Sequence, residues 1–340
     1  MLGRNARCFL EQGAHVQSMG TLRYAVAGHP IAHSLSPLLM HLVHAHVQRN
    51  HPLPEPSVEL VEASTISDAL AWGYAGAVPS PPVWALTNGP FGKFRTSTLL
   101  KRAVHAAFEA TAETHVEPAL STAAPPAAKN QLPTRQFNEE IWLNLTSPLK
   151  HQLHSNAVKA LDNAMDTMSV NALRWDGKGW WSAGLDGEGL CDALIHLGWS
   201  PNEHVLGILG GGGAARSVAA AWTSAGGRIH PLEGNRPLMD GPWDQGVTTD
   251  NPHISVRFDR EIDPPTGPRL DAWYEPMDGD VEARLKAVKD APYNGRWMLV
   301  AQHLACWRRL WAPELAQHLP PLEVLMHQLL VAEHTLAGYA

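Results

Sequence analysis

The stretch Gly207-Ile-Leu-Gly-Gly-Gly-Gly-Ala-Ala-Arg-Ser217 constrains this chain more than any other. An apolar run, His204 to Leu209, leads into it, and a helix-compatible run, Ala214 to Ala225, leaves it. The skeleton Gly210-x-Gly212-x-x-Ala215 therefore reads as a turn between strand and helix, the context a dinucleotide fingerprint requires. Gly210 can take the tight turn, Gly212 and Gly213 let the backbone approach a pyrophosphate, and Ala215 is small enough for the helix to lie on the strand. The first-turn N–H groups then point at the anion, helped by the helix dipole. A merely flexible glycine loop would not need the apolar strand before it.

The rest of the chain bounds the setting. At 340 residues it exceeds one ordinary core, so two domains are expected. Hydrophobic content of 44% with 17% charged residues fits a globular protein. No run approaches the length of a membrane span. Residues Met1 to Gly20 lack an apolar core and read as a loose extension, with Met19 as an alternative start, and not as a signal peptide. Cys8, Cys191 and Cys306 are scattered without a CxxC, which suggests a reducing cytosol and no zinc site. The net charge of −7 argues against a nucleic-acid surface. An anionic cofactor must then be held by local N–H groups and a few cations.

Leu22 to Gly28 reads as a strand, followed by a turn, His29 to Pro37, with Pro37 at a helix N1 position and Ser36 as cap. Ser34 and Ser36 thus lie near the start of a helix, Leu38 to Gln48, where a carboxylate is favoured; capping alone would equally explain them. His41, His44 and His46 do not share one face, so a solvated or half-buried helix face is expected there and not a metal site. Val58 to Glu62 alternates like a strand, and Ser64 to Ala75 reads as a short helix. Residues 77–135 look like an insertion: proline- and glycine-rich from Pro79 to Pro90, helical from Thr96 to His115, linker-like from Ala119 to Pro133. Ile141 to Leu145 is an apolar strand that ends in a cluster of Asn144, Thr146 and Lys150. A lysine just past a buried strand can be desolvated enough to exchange protons, although a surface lysine is the commoner case. Ser169 to Trp175 and Trp180 to Gly184 read as a hairpin across Asp176-Gly177, and Asp186 precedes a helix, Leu190 to Leu197, where it could serve as a cap. Beyond the glycine turn, Gly227 to Glu233 reads as the second strand of the dinucleotide unit, its Pro231 suited to an edge. Glu233 lies where an acidic side chain would bond ribose hydroxyls, which favours NAD, whereas Arg236 could meet a 2′-phosphate. Ile254–Phe258 and Leu270–Tyr274 read as the last strands, and Val281–Ala291, a region through Leu310, and Pro321–Ala337 as helices.

These residues resemble the shikimate dehydrogenase family. Tyr24 to Pro37 resembles its opening strand and S-L-S-P turn. Asn144-Leu-Thr-Ser-Pro-Leu-Lys150 resembles N-V-T-x-P-x-K, Val170-Asn171 resembles A-V-N, Gly210 to Arg216 resembles G-A-G-G-A-A-R, and Gly295 to Gln302 resembles the closing G-x-x-M-L-V-x-Q. The resemblance covers most of residues 22–310 outside the insertion. It implies an α/β protein of two domains. A substrate-binding domain would span 22–186 and a Rossmann-type, doubly wound NAD(P)-binding domain 187–301, with helices 302–340 returning to the first and 1–21 as an extension. It implies Lys150 and Asp186 as the catalytic pair. Ser34 and Ser36 would hold the substrate carboxylate, and Thr146, Asn171, Tyr274 and Gln302 its ring hydroxyls. Gly210, Gly211, Gly212, Gly213 and Ala214 would cradle the pyrophosphate. Glu233, Asn235 and Arg236 would lie at the adenosine end and Gly295 beside the nicotinamide. The implied reaction is reversible reduction of 3-dehydroshikimate to shikimate with NADPH, in the cytoplasm, by a monomer or homodimer with neither nucleic acid nor membrane as partner. Both serines favour shikimate over quinate. An NAD-using quinate/shikimate dehydrogenase and a non-catalytic ligand-binding homologue are the alternatives. The chain departs from the pattern in three places. Gly184-Leu-Asp-Gly-Glu-Gly189 stands for N-T-D-x-x-G, Glu233-Gly-Asn-Arg236 replaces N-R-T-x-x-R, and no N-A-T-P-x-G-M occurs between Asp244 and Glu275.

Overall fold

A computed structural model describes residues 20–74, 84–85, 93–94, 97–112, 130–133, 135, 139–262 and 266–338. The expected N-terminal extension, and most of the stretches 79–90 and 119–133, lie outside the described residues. In chain order the elements are β1 (Thr21–Gly28), α1 (Ser36–Gln48), β2 (Pro56–Glu62), α2 (Ile66–Tyr74), the short pair β3 (Trp84–Ala85) and β4 (Lys93–Phe94), α3 (Ser97–Ala110), β5 (Glu139–Leu145), β6 (Val158–Ala160), β7 (Ala172–Trp175), β8 (Trp180–Ala183), α4 (Asp186–His196), β9 (Val205–Leu209), α5 (Gly213–Ser224), β10 (Arg228–Leu232), β11 (Ile254–Arg257), β12 (Arg269–Asp271), α6 (Val281–Lys289), α7 (Arg296–Cys306) and α8 (Leu322–Ala337).

The first sheet has six strands in the order β2-β1-β5-β7-β8-β6. β1 runs parallel to β2 and β5, while β7 pairs antiparallel with β5 and with β8. β1 and β5 are buried along nearly their whole length, as central parallel strands covered on both faces must be. On one face Ala25, Ala27, Ile141, Leu143 and Leu173 pack with Ala69, Ile66 and Leu70 of α2. On the other, Tyr24 and Trp142 join the core formed by α1, α7 and α8. The second sheet has four parallel strands in the order β10-β9-β11-β12. Pro231 does sit on an edge strand. Among the described residues only α5 makes a helical crossover here; β10 reaches β11 through a loop with a single 3₁₀ turn, Asp244–Gly246. The order turns back beside β9, so the end of that strand is the sheet's switch point.

Three local expectations shift. The cap of α1 is Leu35, not Ser36, and no side chain caps the helix; Ser34 Oγ instead accepts from Ser36 N at 3.3 Å. The helix expected from Leu190 begins at Asp186, because Gly189 N donates to Leu185 O and closes a full earlier turn. The strand expected from Ser169 starts at Ala172, since Thr167 Oγ1 and Ser169 Oγ bond each other at 2.8 Å and hold that segment in a turn.

The C-terminal segment clamps the first sheet. After α7 a π-helical turn, Trp307–Trp311, carries two indoles onto β5. Trp311 stacks on Trp142 with centroids 5.5 Å apart, and Trp307 meets it edge-on at 4.9 Å. α8 packs against α3 of the expected insertion, and Gln328 Nε2 donates to Thr111 Oγ1 at 3.0 Å. α7 and α8 are locked by Arg296 and Glu333, each side chain 1% exposed, through two bonds of 2.8 and 2.7 Å. Among the described residues no helix is long and apolar enough to cross a membrane. Removing one member of a buried pair strands the other charge, so Glu333→Ala should cost about 3–5 kcal/mol in chemical denaturation; a loss below about 1 kcal/mol would mean that Arg296 finds water instead.

Candidate functional site

Lys150 sits in a 3₁₀ turn, Leu149–His151, just past β5. Asp186 opens α4, at the end of that helix where the backbone dipole favours an anion. Lys150 Nζ donates to Asp186 Oδ2 at 2.5 Å; the lysine side chain is 17% exposed and the aspartate 0%. Asn171 holds the other oxygen, its Nδ2 donating to Asp186 Oδ1 at 2.9 Å. Its own Oδ1 accepts from Leu185 N at 2.6 Å. Both ends of that amide are thus committed, and Asn171 fixes the carboxylate's orientation. A Cβ on Gly189 would come within 2.5 Å of Gln302 N, so the glycine in Asp186-Gly-Glu-Gly189 lets α4 lie directly on α7.

The glycine turn lies beside this pair. Gly210 has φ +122°, a conformation that L side chains rarely adopt. A Cβ on Gly211 would stand 1.9 Å from Pro237 O, one on Gly213 3.0 Å from Lys150 Cβ, and one on Gly212 would meet nothing within 4 Å. The turn is therefore packed on two sides and open on the third, where the N-terminus of α5 is presented. Arg216 pins it from behind, donating to Gly211 O at 3.0 Å, Thr167 O at 2.8 Å and Met168 O at 2.7 Å.

Between the turn and the pair lies a cavity of about 210 Å³. Ser34, Ser36, Thr146, Lys150, Ala214, Tyr274, Gly295 and Gln302 all line it. Asp186 and Asn171 are not among the lining residues, and the Asn171 amide is bonded to the Asp186 carboxylate. Glu233, Asn235 and Arg236 lie apart from it, exposed at the end of β10. There Asn235 bonds Asp259 through its N–H at 2.9 Å, and its Nδ2 donates to Glu261 at 3.0 Å.

Sequence reasoning singled out Asn144 without giving it a role; it lines the cavity, and its Oδ1 accepts from Tyr24 Oη at 2.7 Å. It missed His33, Phe258, Arg260 and Trp273, which also face the cavity. His33 lies inside the quoted turn and could have been noticed; the other three come from loops without a motif. Tyr274 Oη accepts from Leu35 N at 3.1 Å. Burial pushes its phenol above the ordinary range, so it stays a neutral donor. Burial first, and then the Arg260 charge, holds the His33 imidazole below its usual value. Among the described residues of the lining, the charged side chains are then Lys150 and Arg260; their carboxylate partners, Asp186 and Glu275, stand outside the lining.

Fold and site define a class: a two-sheet α/β protein that joins an open glycine turn to a buried amine–carboxylate pair across a small polar cavity. No family model matches the chain. A curated shikimate dehydrogenase (NADP(+)) of Methylibium petroleiphilum is 25% identical over 197 residues, 58% of this chain and 47% of that protein. The match spans about half the length of that relative. The shikimate 5-dehydrogenase of Thermus thermophilus, solved with shikimate, matches 93% of this chain and 99% of its own at 20% identity, TM-score 0.53. The same enzyme with NADP(H) and shikimate gives 0.52 at 20% identity, over 92% of this chain and 100% of its own. The shikimate dehydrogenase of Aquifex aeolicus gives 0.50 at 16% identity, over 92% of this chain and 98% of its own. The chain thus shares the fold of these shikimate dehydrogenases.

The two faces of the turn should separate by mutation. Gly211→Ala pushes a methyl group into Pro237 O and should cost about 1–3 kcal/mol of stability. Gly212→Ala enters open space and should stay within about 0.5 kcal/mol. Equal losses in thermal unfolding would contradict this packing.

Proposed function

We propose that the protein is a shikimate dehydrogenase that catalyses the reversible NADPH-dependent reduction of 3-dehydroshikimate to shikimate. The observation that carries this reading is the 2.5 Å contact of Lys150 with a fully buried Asp186 at the wall of a cavity rich in hydroxyl donors and acceptors. Ser34 and Ser36 hold the substrate carboxylate. Thr146, Tyr274 and Gln302 hold the ring hydroxyls and orient the carbonyl toward Lys150. Lys150 then gives its proton to the carbonyl oxygen as negative charge grows there, and takes it back in the reverse direction. Asp186 aims the ammonium at the carbonyl. Asn171 is a positioning residue that keeps Asp186 from turning away. The exposed fraction of Lys150 is its route to solvent protons.

The residues present fit a dinucleotide: the open face of Gly212 leaves space where backbone N–H groups of α5 can meet a pyrophosphate. Gly210 to Ala214 would hold the diphosphate, Glu233, Asn235 and Arg236 the adenosine end, and Gly295 the nicotinamide side. When bound, the cofactor supplies or takes the hydride, and the protein supplies position and the proton. The same chemistry with NAD, on shikimate or quinate, is a second reading, favoured by the two carboxylates that engage Asn235. We place the activity in the cytoplasm, in a monomer or homodimer whose substrate and cofactor lobes follow the 22–186 and 187–301 division.

A steady-state assay with 3-dehydroshikimate and each reduced cofactor tests the proposal. Lys150→Ala and Asp186→Asn should each lower kcat by about 10²–10⁴-fold while changing KM far less. Of the two, Asp186→Asn should keep more stability, because the ammonium it leaves is 17% exposed, whereas Lys150→Ala strands a carboxylate that is 0% exposed. Rates within threefold of the parent would sink the assignment.

A further inference from the structure

We infer that Arg260 reads the charge of the substrate's carboxylate at the mouth of the cavity, and so determines specificity for an acid over its uncharged analogues. This rests on the function proposed above. Ser34 and Ser36 are neutral donors: they fit a carboxylate, but they fit an ester or amide carbonyl nearly as well. Discrimination between charged and uncharged ligands needs a charge. Lys150 is already paired with Asp186, and its proton belongs to the reacting carbonyl. Among the described residues, the remaining cation of the lining is Arg260.

Arg260 comes from the loop after β11, where the chain lacks the family's N-A-T-P-x-G-M, so its role follows from no motif. Its guanidinium lies over the Trp273 ring, 5.0 Å from the centroid, and Nη1 donates to Glu275 Oε1 at 2.8 Å. Arg260 lines the same cavity as His33, Ser34 and Ser36, and its partner Glu275 adjoins Tyr274, which accepts from Leu35 N between the two serines. Its side chain is 58% and that of Glu275 64% exposed. Such a pair is weak in water. The planar fork presents several N–H groups, of which the Glu275 bond uses one, and a carboxylate can be taken bidentately. A half-exposed cation at a cleft mouth also draws anions from solution and makes their capture sensitive to salt. The guanidinium of Arg257 lies 4.6 Å from the Trp273 ring centroid and keeps the platform in place.

The test compares shikimate with its methyl ester in the full-length protein carrying Arg260→Gln, Arg260→Lys or Glu275→Gln. Arg260→Gln should raise KM for shikimate about tenfold, leave kcat within about threefold, and flatten the dependence of kcat/KM on salt. It should leave KM for the ester and for the cofactor within about twofold. Arg260→Lys should keep most of the acid preference, and Glu275→Gln should lower KM for shikimate. An equal change for acid and ester, a change confined to cofactor KM, or no change at all would overturn the inference. If the parent protein turned over no shikimate with either cofactor, the function proposed above would fail. Calorimetric binding of the acid against the ester, with and without Arg260, would then decide this point on its own: loss of the acid preference in Arg260→Gln supports it, and no preference in the parent overturns it.

Discussion

A carboxylate with no exposure to water is costly to keep ionised, and Asp186 is such a group. What offsets the cost is specific. One oxygen takes the ammonium of Lys150 and the other the amide of Asn171, and the positive end of α4 lies beneath. Each partner comes from a different place: the turn after β5, the segment before β7, and the helix that leads toward the second sheet. The chain has to bring these three together for any one of them to be tolerable. Much else serves that meeting. The glycines flanking Glu188 let α5 and α7 close on α4. Ser217 Oγ, on α5, accepts from Gly187 N at 2.9 Å and ties the glycine-turn helix to the start of α4.

A second layer of buried polar groups holds the cavity's far wall. Arg296 sits 5.4 Å from the Tyr274 ring centroid and donates to Glu275 O at 2.9 Å, while its fork is filled by Glu333. The tyrosine that reaches into the cavity is thus steadied by an ion pair of the last two helices. The opposite wall depends on the indoles of the π turn, which fix β5 and with it Asn144 and the approach to Lys150. Neither support touches a ligand, yet both decide where the donors stand.

Much of this was legible in the sequence, for physical reasons. Strands buried on both faces write themselves as apolar runs, which is why β1, β5 and β9 could be read. Pro231 could be assigned an edge because a proline cannot donate in a ladder. The short motifs around Ser34, Thr146, Gly210 and Gln302 each mark a place where backbone and chemistry constrain each other, and all four meet at one cavity. What could not be read was contact between distant segments. Asn171 carries a side chain suited to a sugar-like hydroxyl, and only the fold reveals that both its ends are engaged by Asp186 and Leu185. Arg260 and Trp273 stand in loops without periodicity, so nothing local announces that they face the same space as Ser34. The start of α4 was misread because Gly187 and Gly189 look like loop residues, when they are helical residues under close packing.

The separation of 3.0 Å between a methyl group placed on Gly213 and the Cβ of Lys150 leaves almost no slack between the turn proposed to hold the cofactor and the side chain proposed to handle the proton. Two chemical duties that could have been kept in separate compartments share one van der Waals surface. Alterations on either side of that surface are then felt by the other, so their free energies do not add. Remodelling the backbone of this turn would have to be matched at Lys150 in the same step, whereas the exposed end of β10, from Glu233 to Arg236, lies outside that constraint.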